Sequence, residues 1–356
     1  MVKSAKKSAR TKSGAKKAKA TRVEIPVAPA DPPRVKRAKA ESVETSLPVQ
    51  ATDRATTASP GAASAPIPTA RVDAQAAPIP TPFSDALRVR AGFRLADCDP
   101  RSTPGYAGDK DSAEAELAAT ADEVATLQER LYAESKGGGM RSLLLLVQGM
   151  DTSGKGGIMR HVVGLMDPQG VDITAFKQPT PEERAHPFLW RIRRALPRPG
   201  QVMVFDRSQY EDVLIVRVHN LVPSSTWMRR YGQINAFEAS AATRGITHIK
   251  VMLHISNAEQ KVRLAQRLDR PDKYWKYNPG DIDERRLWED YQTAYQTVLE
   301  RTSTDVAPWF VVPADRKWYA RLAVQQLLLE HLRVMNPQWP PADFDVAVEQ
   351  KRLADS

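Results

Sequence analysis

The run Gly149-Met150-Asp151-Thr152-Ser153-Gly154-Lys155-Gly156-Gly157 has the residue types and spacing for holding phosphate. Gly149 and Gly154 let backbone N–H groups close around phosphate oxygens, while Lys155 and the N-terminus of a following helix balance their charge. The context required is strand, loop, helix. The chain supplies it, with an apolar run at 143–147 before the loop and an apolar-periodic stretch at 158–166 after it. An inert Gly-rich turn needs neither the lysine nor so many small residues before it. One position departs from the usual pattern: Gly156 stands where a Ser or Thr ordinarily ligates Mg²⁺, so another side chain has to hold the metal.

Two carboxylates are candidates for that work. Asp151 lies inside the loop, and a carboxylate is a hard oxygen ligand suited to magnesium. Asp206 ends the apolar run Val202-Met203-Val204-Phe205 and is followed by Arg207 and Ser208. An apolar strand that delivers an aspartate at its C-terminal edge is a Walker B arrangement, placed where open α/β sheets bind ligands. The competing reading makes Asp206 the N-cap of the next helix, a role open to Ser208 as well.

The segment 267–280 mixes cations, aromatics, Pro and Gly between two helical stretches. It reads as a lid that excludes water, the competing phosphoryl acceptor, and brings Arg or Lys to phosphate oxygens only on closing. A surface loop with Trp275 packed into the core is the alternative. Arg160 and His161 follow the phosphate loop on its helix and are read as structural. Tyr210, Glu211 and Asp212 fit either an acceptor-nucleotide site or an ordinary charged helix face. The six histidines show no metal-ligand spacing. Phosphoryl transfer needs no Ser/His/Asp arrangement, because its catalysis reduces to positioning and to neutralising charge on the moving group.

Positioning these residues takes alternating strands and helices. Strands are expected at 143–147, 171–176, 202–205, 249–255 and 309–312. Helices are expected at 113–133, 158–166, 180–196, 208–218, 224–243, 257–268, 281–302 and 317–334. The alternation implies a doubly wound, parallel α/β sheet. Its strands read as continuous apolar runs, as strands buried on both faces do. The domain map is therefore a Lys/Ala/Pro-rich tail at 1–85, a phosphate-loop domain at 86–336 and a short C-terminal tail at 337–356.

The tail is expected to be disordered, since it is poor in the apolar and aromatic side chains that offset ordering entropy. Residues 1–40 hold 13 Lys or Arg against Glu24 and Asp31, which accounts for the whole net charge of +10 and leaves the rest of the chain at −1. The basic pI thus describes the tail and is no argument that the folded part binds nucleic acid. The tail itself can attract any polyanion, or can be a merely solubilising arm. Cys98 is the single cysteine, which excludes an intramolecular disulfide and a cysteine-rich zinc site and fits a reducing compartment. No apolar run reaches membrane-spanning length, so a cytoplasmic protein is expected.

Over roughly residues 95–335 the chain resembles the polyphosphate kinase 2 family. Five ordered stretches carry the resemblance: 149–157, Phe176-Lys177-Gln178-Pro179-Thr180, Phe188-Leu189-Trp190-Arg191, Phe205-Asp206-Arg207-Ser208, and 267–276. Phe188 to Ile192 and Tyr210 to Leu214 most resemble the subgroup called class III, whose members phosphorylate AMP and ADP. The resemblance implies a three-layer α/β core related to nucleotide monophosphate kinases, a mobile lid, Mg²⁺ dependence, a basic channel for polyphosphate, and dimers or tetramers. By the same resemblance Asp151 and Asp206 bind magnesium, and Lys155 and Arg207 hold the transferring phosphates. Lys177 and Arg191 match stretches near the nucleotide and phosphate sites, and Arg267, Asp269 and Lys276 fall in the lid. Gly156 departs from the Asp expected in many class III members.

The expected activity is phosphate transfer between inorganic polyphosphate and AMP or ADP. An ATP-dependent nucleotide or nucleoside kinase on the same core is one alternative, against which the altered loop counts. A nucleotide-switched protein whose tail engages nucleic acid is another.

Overall fold

A computed structural model describes residues 82–356. The expected tail lies outside the described residues up to 81. Its last residues are corrected: 82–85 belong to a helix, Pro82–Leu87, that buries Phe83 and Leu87 in the core. Its start is held from far away in sequence, because the Glu330 carboxylate accepts the backbone N–H groups of Phe83 at 3.3 Å and Ser84 at 3.0 Å.

Five strands form one all-parallel sheet: β1 (Ser142–Gly149), β2 (Val171–Ala175), β3 (Val202–Asp206), β4 (Ile246–His254) and β5 (Trp309–Pro313), in the order β2-β3-β1-β4-β5. The apolar runs of β1, β3 and β4 become the central strands because both faces are covered, while β2 at one edge is largely exposed. Side chains alternate along a strand, and the alternation sorts the core into two clusters. Leu143, Leu145 and Val147 face one cluster with Val251 and Phe310, while Leu144, Leu146, Phe205 and Trp309 face the other. Helices Ala121–Lys136 and Lys317–Met335 cover the first face, and Ser224–Ala242 and Trp288–Thr302 the second. This is the expected three-layer, doubly wound architecture. Connections after β1 and β4 run to opposite edges, so the carboxyl ends of these neighbours open a crevice for ligands.

Several expected helices are broken or shortened, and 158–166 is replaced by the helix Lys155–His161 and a separate turn, Val163–Leu165. The stretch 113–133 is two helices, Lys110–Ala119 and Ala121–Lys136, meeting at Thr120, whose hydroxyl bonds back to the Glu116 carbonyl at 2.8 Å. The first starts early because Asp109 and Ser112 form a capping box. The stretch 180–196 is split around Pro187 into Pro181–Arg184 and Trp190–Arg194, as the missing N–H of proline demands. In place of 208–218 stand a tight turn, Gln209–Asp212, and one short helix, Ile215–Val218. Residues 281–302 divide at Leu287 into Gly280–Arg286 and Trp288–Thr302. The C-terminal tail holds a helix, Val346–Ala354, capped by Asp345.

Candidate active site

The phosphate loop leaves β1 through Gly149 at φ +152°, where an added Cβ would meet the Leu253 carbonyl at 2.7 Å. It reaches the helix Lys155–His161 through Gly154 at φ +118°. Both glycines are required by the backbone path. Gly156 is not, since a Cβ there meets nothing within 4 Å. Thr152, at φ +64°, stores strain in the loop of the kind found at functional sites. The loop is braced from outside by Arg263, a buried residue on helix Asn257–Leu268. Its Nη1 donates to the Thr152 and Ser153 carbonyls at 3.0 Å each, and its Nη2 to the Ala314 and Asp315 carbonyls. Gln260 adds a bond to the Asp151 carbonyl at 3.2 Å.

Lys155 Nζ folds back onto the loop, donating to the Gly149 carbonyl at 2.7 Å and the Met150 carbonyl at 3.4 Å. Burial pulls its ammonium below the usual lysine range, with Asp151 and Asp206 opposing. Asp206 ends β3 in register with Val147, which sets the two strand ends side by side. Arg207 follows at φ +65°, its N–H bonded to the Val147 carbonyl at 3.1 Å and its Nη2 to Asp151 Oδ1 at 3.1 Å. The strained backbone turns the guanidinium toward the loop after β1. Next along the turn, the Glu211 carboxyl is pushed up by burial, against the pull of Arg207 and Lys155.

Two cavities meet at this loop. The first, about 410 Å³, is lined by the loop from Asp151 to Ile158 and by nine Lys or Arg side chains against one carboxylate, Asp151. Its cations come from four segments: the loop helix (Lys155, Arg160), helix Asn257–Leu268, the stretch 270–276, and the start of helix Lys317–Met335 (Lys317, Arg321). The second, about 240 Å³, is lined by Gly149, Met150, Asp151, Arg207 and Glu211, then by Asp281 and Glu284, and by Tyr291 and Tyr295 from helix Trp288–Thr302. Asp151 lines both.

The expected site residues divide accordingly. Asp151, Gly154, Lys155, Gly156, Arg267 and Lys276 line the cationic cavity, and Gly149, Asp151 and Arg207 the acidic one. Arg267 bridges them, with Nη1 on Asp281 Oδ2 at 3.1 Å and on the Lys276 carbonyl at 2.9 Å. Asp269, at the end of helix Asn257–Leu268, is exposed and lines neither. Lys177 and Arg191 line a separate cavity beside β2. There Arg191 is buried over the Phe176 ring and bonds the Lys177 carbonyl at 2.8 Å. Trp275 is 78% exposed, so the alternative that packed it into the core is excluded. Arg160 and His161, expected to be structural, both line the cationic cavity. No sequence motif points to Arg263, Lys317, Arg321, Asp281, Glu284, Tyr291 or Tyr295. They are ordinary polar or aromatic helix residues with no local signal that separates them from solvated or core positions.

For a divalent metal, the donor set fits magnesium. Among the described residues no group of three or more His, Cys, Asp or Glu could cage a metal. Magnesium commonly takes only one or two carboxylates and completes its shell with water and substrate phosphates. Asp206 is the last residue of β3 and Asp151 lies two residues past the end of neighbouring β1, so the carboxylates come from adjacent segments, although Asp206 lines neither cavity. No helix among the described residues is long and apolar enough to cross a membrane.

Comparison with known proteins agrees with this geometry. The chain is 44% identical over 248 residues to the AMP/ADP-polyphosphate phosphotransferase of Meiothermus ruber, covering 70% of this chain and 91% of that one. It is 40% identical over 236 residues to the ADP-polyphosphate phosphotransferase of Rhodopseudomonas palustris, covering 62% and 80%. The crystal structure of polyphosphate kinase 2 from Arthrobacter aurescens TC1 superposes with a TM-score of 0.76 at 56% identity, covering 77% of this chain and 97% of that one. The family model for polyphosphate kinase 2 matches residues 107–340, and with the phosphate loop, the parallel sheet and the two cavities in place, this chain belongs to the polyphosphate kinase 2 family.

Proposed function

We propose that this phosphotransferase moves phosphate between inorganic polyphosphate in the cationic cavity and AMP or ADP in the acidic one. The observation that carries the reading is that Asp151 lines both cavities while the charge on either side of it differs sharply. A polyphosphate chain presents a negative charge at every unit, and repeated Lys and Arg contacts are the chemistry that binds it. The acidic cavity would take the phosphate end of a nucleotide at Arg207, and Tyr291 and Tyr295 also line it.

Within this reading Lys155 leaves the loop carbonyls for the moving phosphoryl oxygens, and Arg207 holds the acceptor phosphate. Asp151 and Asp206 would hold Mg²⁺, which when bound neutralises charge on the phosphate oxygens. The backbone N–H groups of the loop orient the donor, and the stretch 267–280 limits water. The single cysteine suits the reducing cytoplasm, which we take as the site of action.

The test is purified protein with Mg²⁺ and polyphosphate, offered AMP and ADP separately, with nucleotide products separated by chromatography and Lys155→Ala as control. ADP or ATP formed without added ATP supports the assignment. Turnover only with ATP as donor would replace it with an ordinary nucleotide kinase.

A further inference from the structure

Lys250 sits on β4 with its side chain fully enclosed, and its partner Glu238, on helix Ser224–Ala242, is enclosed as well. Lys250 Nζ donates to Glu238 Oε2 at 2.7 Å, to the Tyr210 hydroxyl oxygen at 2.9 Å and to the Thr302 carbonyl at 2.7 Å, which uses all three of its protons. Glu238 Oε1 accepts from the Tyr210 hydroxyl at 2.7 Å and from Gln209 Nε2 at 2.9 Å. Trp309 completes the cluster, donating from Nε1 to the Thr302 hydroxyl at 2.9 Å.

One charge pair thus grips two backbone segments. The first is the turn Gln209–Asp212, which follows directly on Asp206, Arg207 and Ser208 and carries Glu211. The second is Thr302, the last residue of helix Trp288–Thr302, whose first half carries Tyr291 and Tyr295. Both elements contribute residues to the lining of the acidic cavity, Glu211 from the turn and Tyr291 and Tyr295 from the helix, while Lys250 and Glu238 line neither cavity. Buried ion pairs seldom make a protein more stable than apolar groups of the same volume do. Fold stability is therefore a poor reason for this one, and the spacing of the elements it joins is a better one.

We propose that Lys250 and Glu238 are positioning residues for the acceptor side of the reaction, fixing the Arg207–Glu211 segment against the Tyr291 and Tyr295 helix. The proposal rests on the assignment of the acidic cavity to the nucleotide. The double variant Lys250→Met/Glu238→Leu removes both charges at similar volume, and Tyr210→Phe removes the shared hydroxyl with little change of shape. In the double variant the nucleotide KM is expected to rise about tenfold and kcat to fall by about one to two orders of magnitude, as misplacement of a binding wall does. The KM for polyphosphate is expected to stay within about twofold, because the cationic cavity is built from other segments. Tyr210→Phe is expected to move the same constants by less.

An unchanged nucleotide KM and kcat in either folded variant overturns the proposal. So does an equal rise in both KM values, the signature of general loosening. Tyr291→Phe and Lys317→Ala test the cavity assignment separately. If the first fails to raise the nucleotide KM alone, or the second the polyphosphate KM alone, it is the assignment that fails and not the role of the charge pair.

Discussion

The guanidinium of Arg207 stands 3.1 Å from the carboxylate of Asp151, tying the residue after the end of β3 to the loop that follows β1. The pair is partly open to solvent, and exposed ion pairs contribute little to stability. Its value is geometric. It joins the segments that follow β1 and β3 at the point where the two cavities meet.

Lys155→Ala and Asp206→Ala should each lower kcat by about 100- to 1000-fold, the loss expected when one preorganised charge is removed from a transition state. Circular dichroism should show the fold unchanged. An Asp206→Ala protein of full activity would remove that residue from the metal site.

Gly156→Ser should be accommodated without strain, since the space beside its Cα is open. A hydroxyl there supplies the oxygen ligand missing from the loop, so the Mg²⁺ concentration for half-maximal activity should fall by roughly threefold or more. A titration of activity against Mg²⁺ checks this. A higher requirement would mean that Asp151 and Asp206 already fill the available coordination.

The Asp281 carboxyl is pushed up to about 6 by burial and by the nearby Asp151, with Arg267 opposing. The folded protein therefore keeps a proton that the unfolded chain, titrating at about 4, has already lost. That contribution to stability is complete at low pH and disappears as pH rises through about 6. Asp281→Asn should accordingly gain Tm relative to the parent between pH 4 and pH 7, and a gap that is flat or shrinks over that range would contradict the assignment.

Neutralising Lys317 or Arg321 should raise the KM for polyphosphate by about threefold to tenfold and lessen its salt dependence, with the nucleotide KM unchanged. Steady-state kinetics at two ionic strengths measures both. Equal effects on the two substrates would argue against separate cavities.

Two truncations test the domain map. We propose that residues 1–81 add no core, so their removal should leave the Tm nearly unchanged. Removal of 1–90 takes away Phe83, Leu87 and Val89, which are buried, and frees the Glu330 carboxylate. A loss of at least about 3 kcal/mol is expected, as for emptying a single large core site, and denaturant melts distinguish the two constructions.

What the sequence determined by itself is local. The phosphate loop, its lysine and glycines, and Asp206 at a strand end are legible because contiguous residues build a strand, a turn and a helix N-terminus whatever surrounds them. Strands β1, β3 and β5 are legible for a similar reason: they are buried on both faces and read as nearly continuous apolar runs, whereas the edge strand β2 is largely exposed and carries Asp172 and Thr174. Residues set far apart were decided by the tertiary structure. Arg263 reaches the loop from 110 residues away, Glu330 caps a helix 247 residues before it, and Lys250 meets Tyr210 across 40 residues. None of these contacts has a sequence signature, since a long polar side chain on a helix or strand reads the same whether it ends in water or in a buried partner. The second cavity is largely of this kind, because beyond Gly149, Met150 and Asp151 of the loop its lining comes from the segment after β3 and from two helices that only packing brings together. The loop could therefore be read as a phosphate site from its residues alone, whereas the pairing of a cationic cavity with an acidic one around Asp151 exists only in the folded chain.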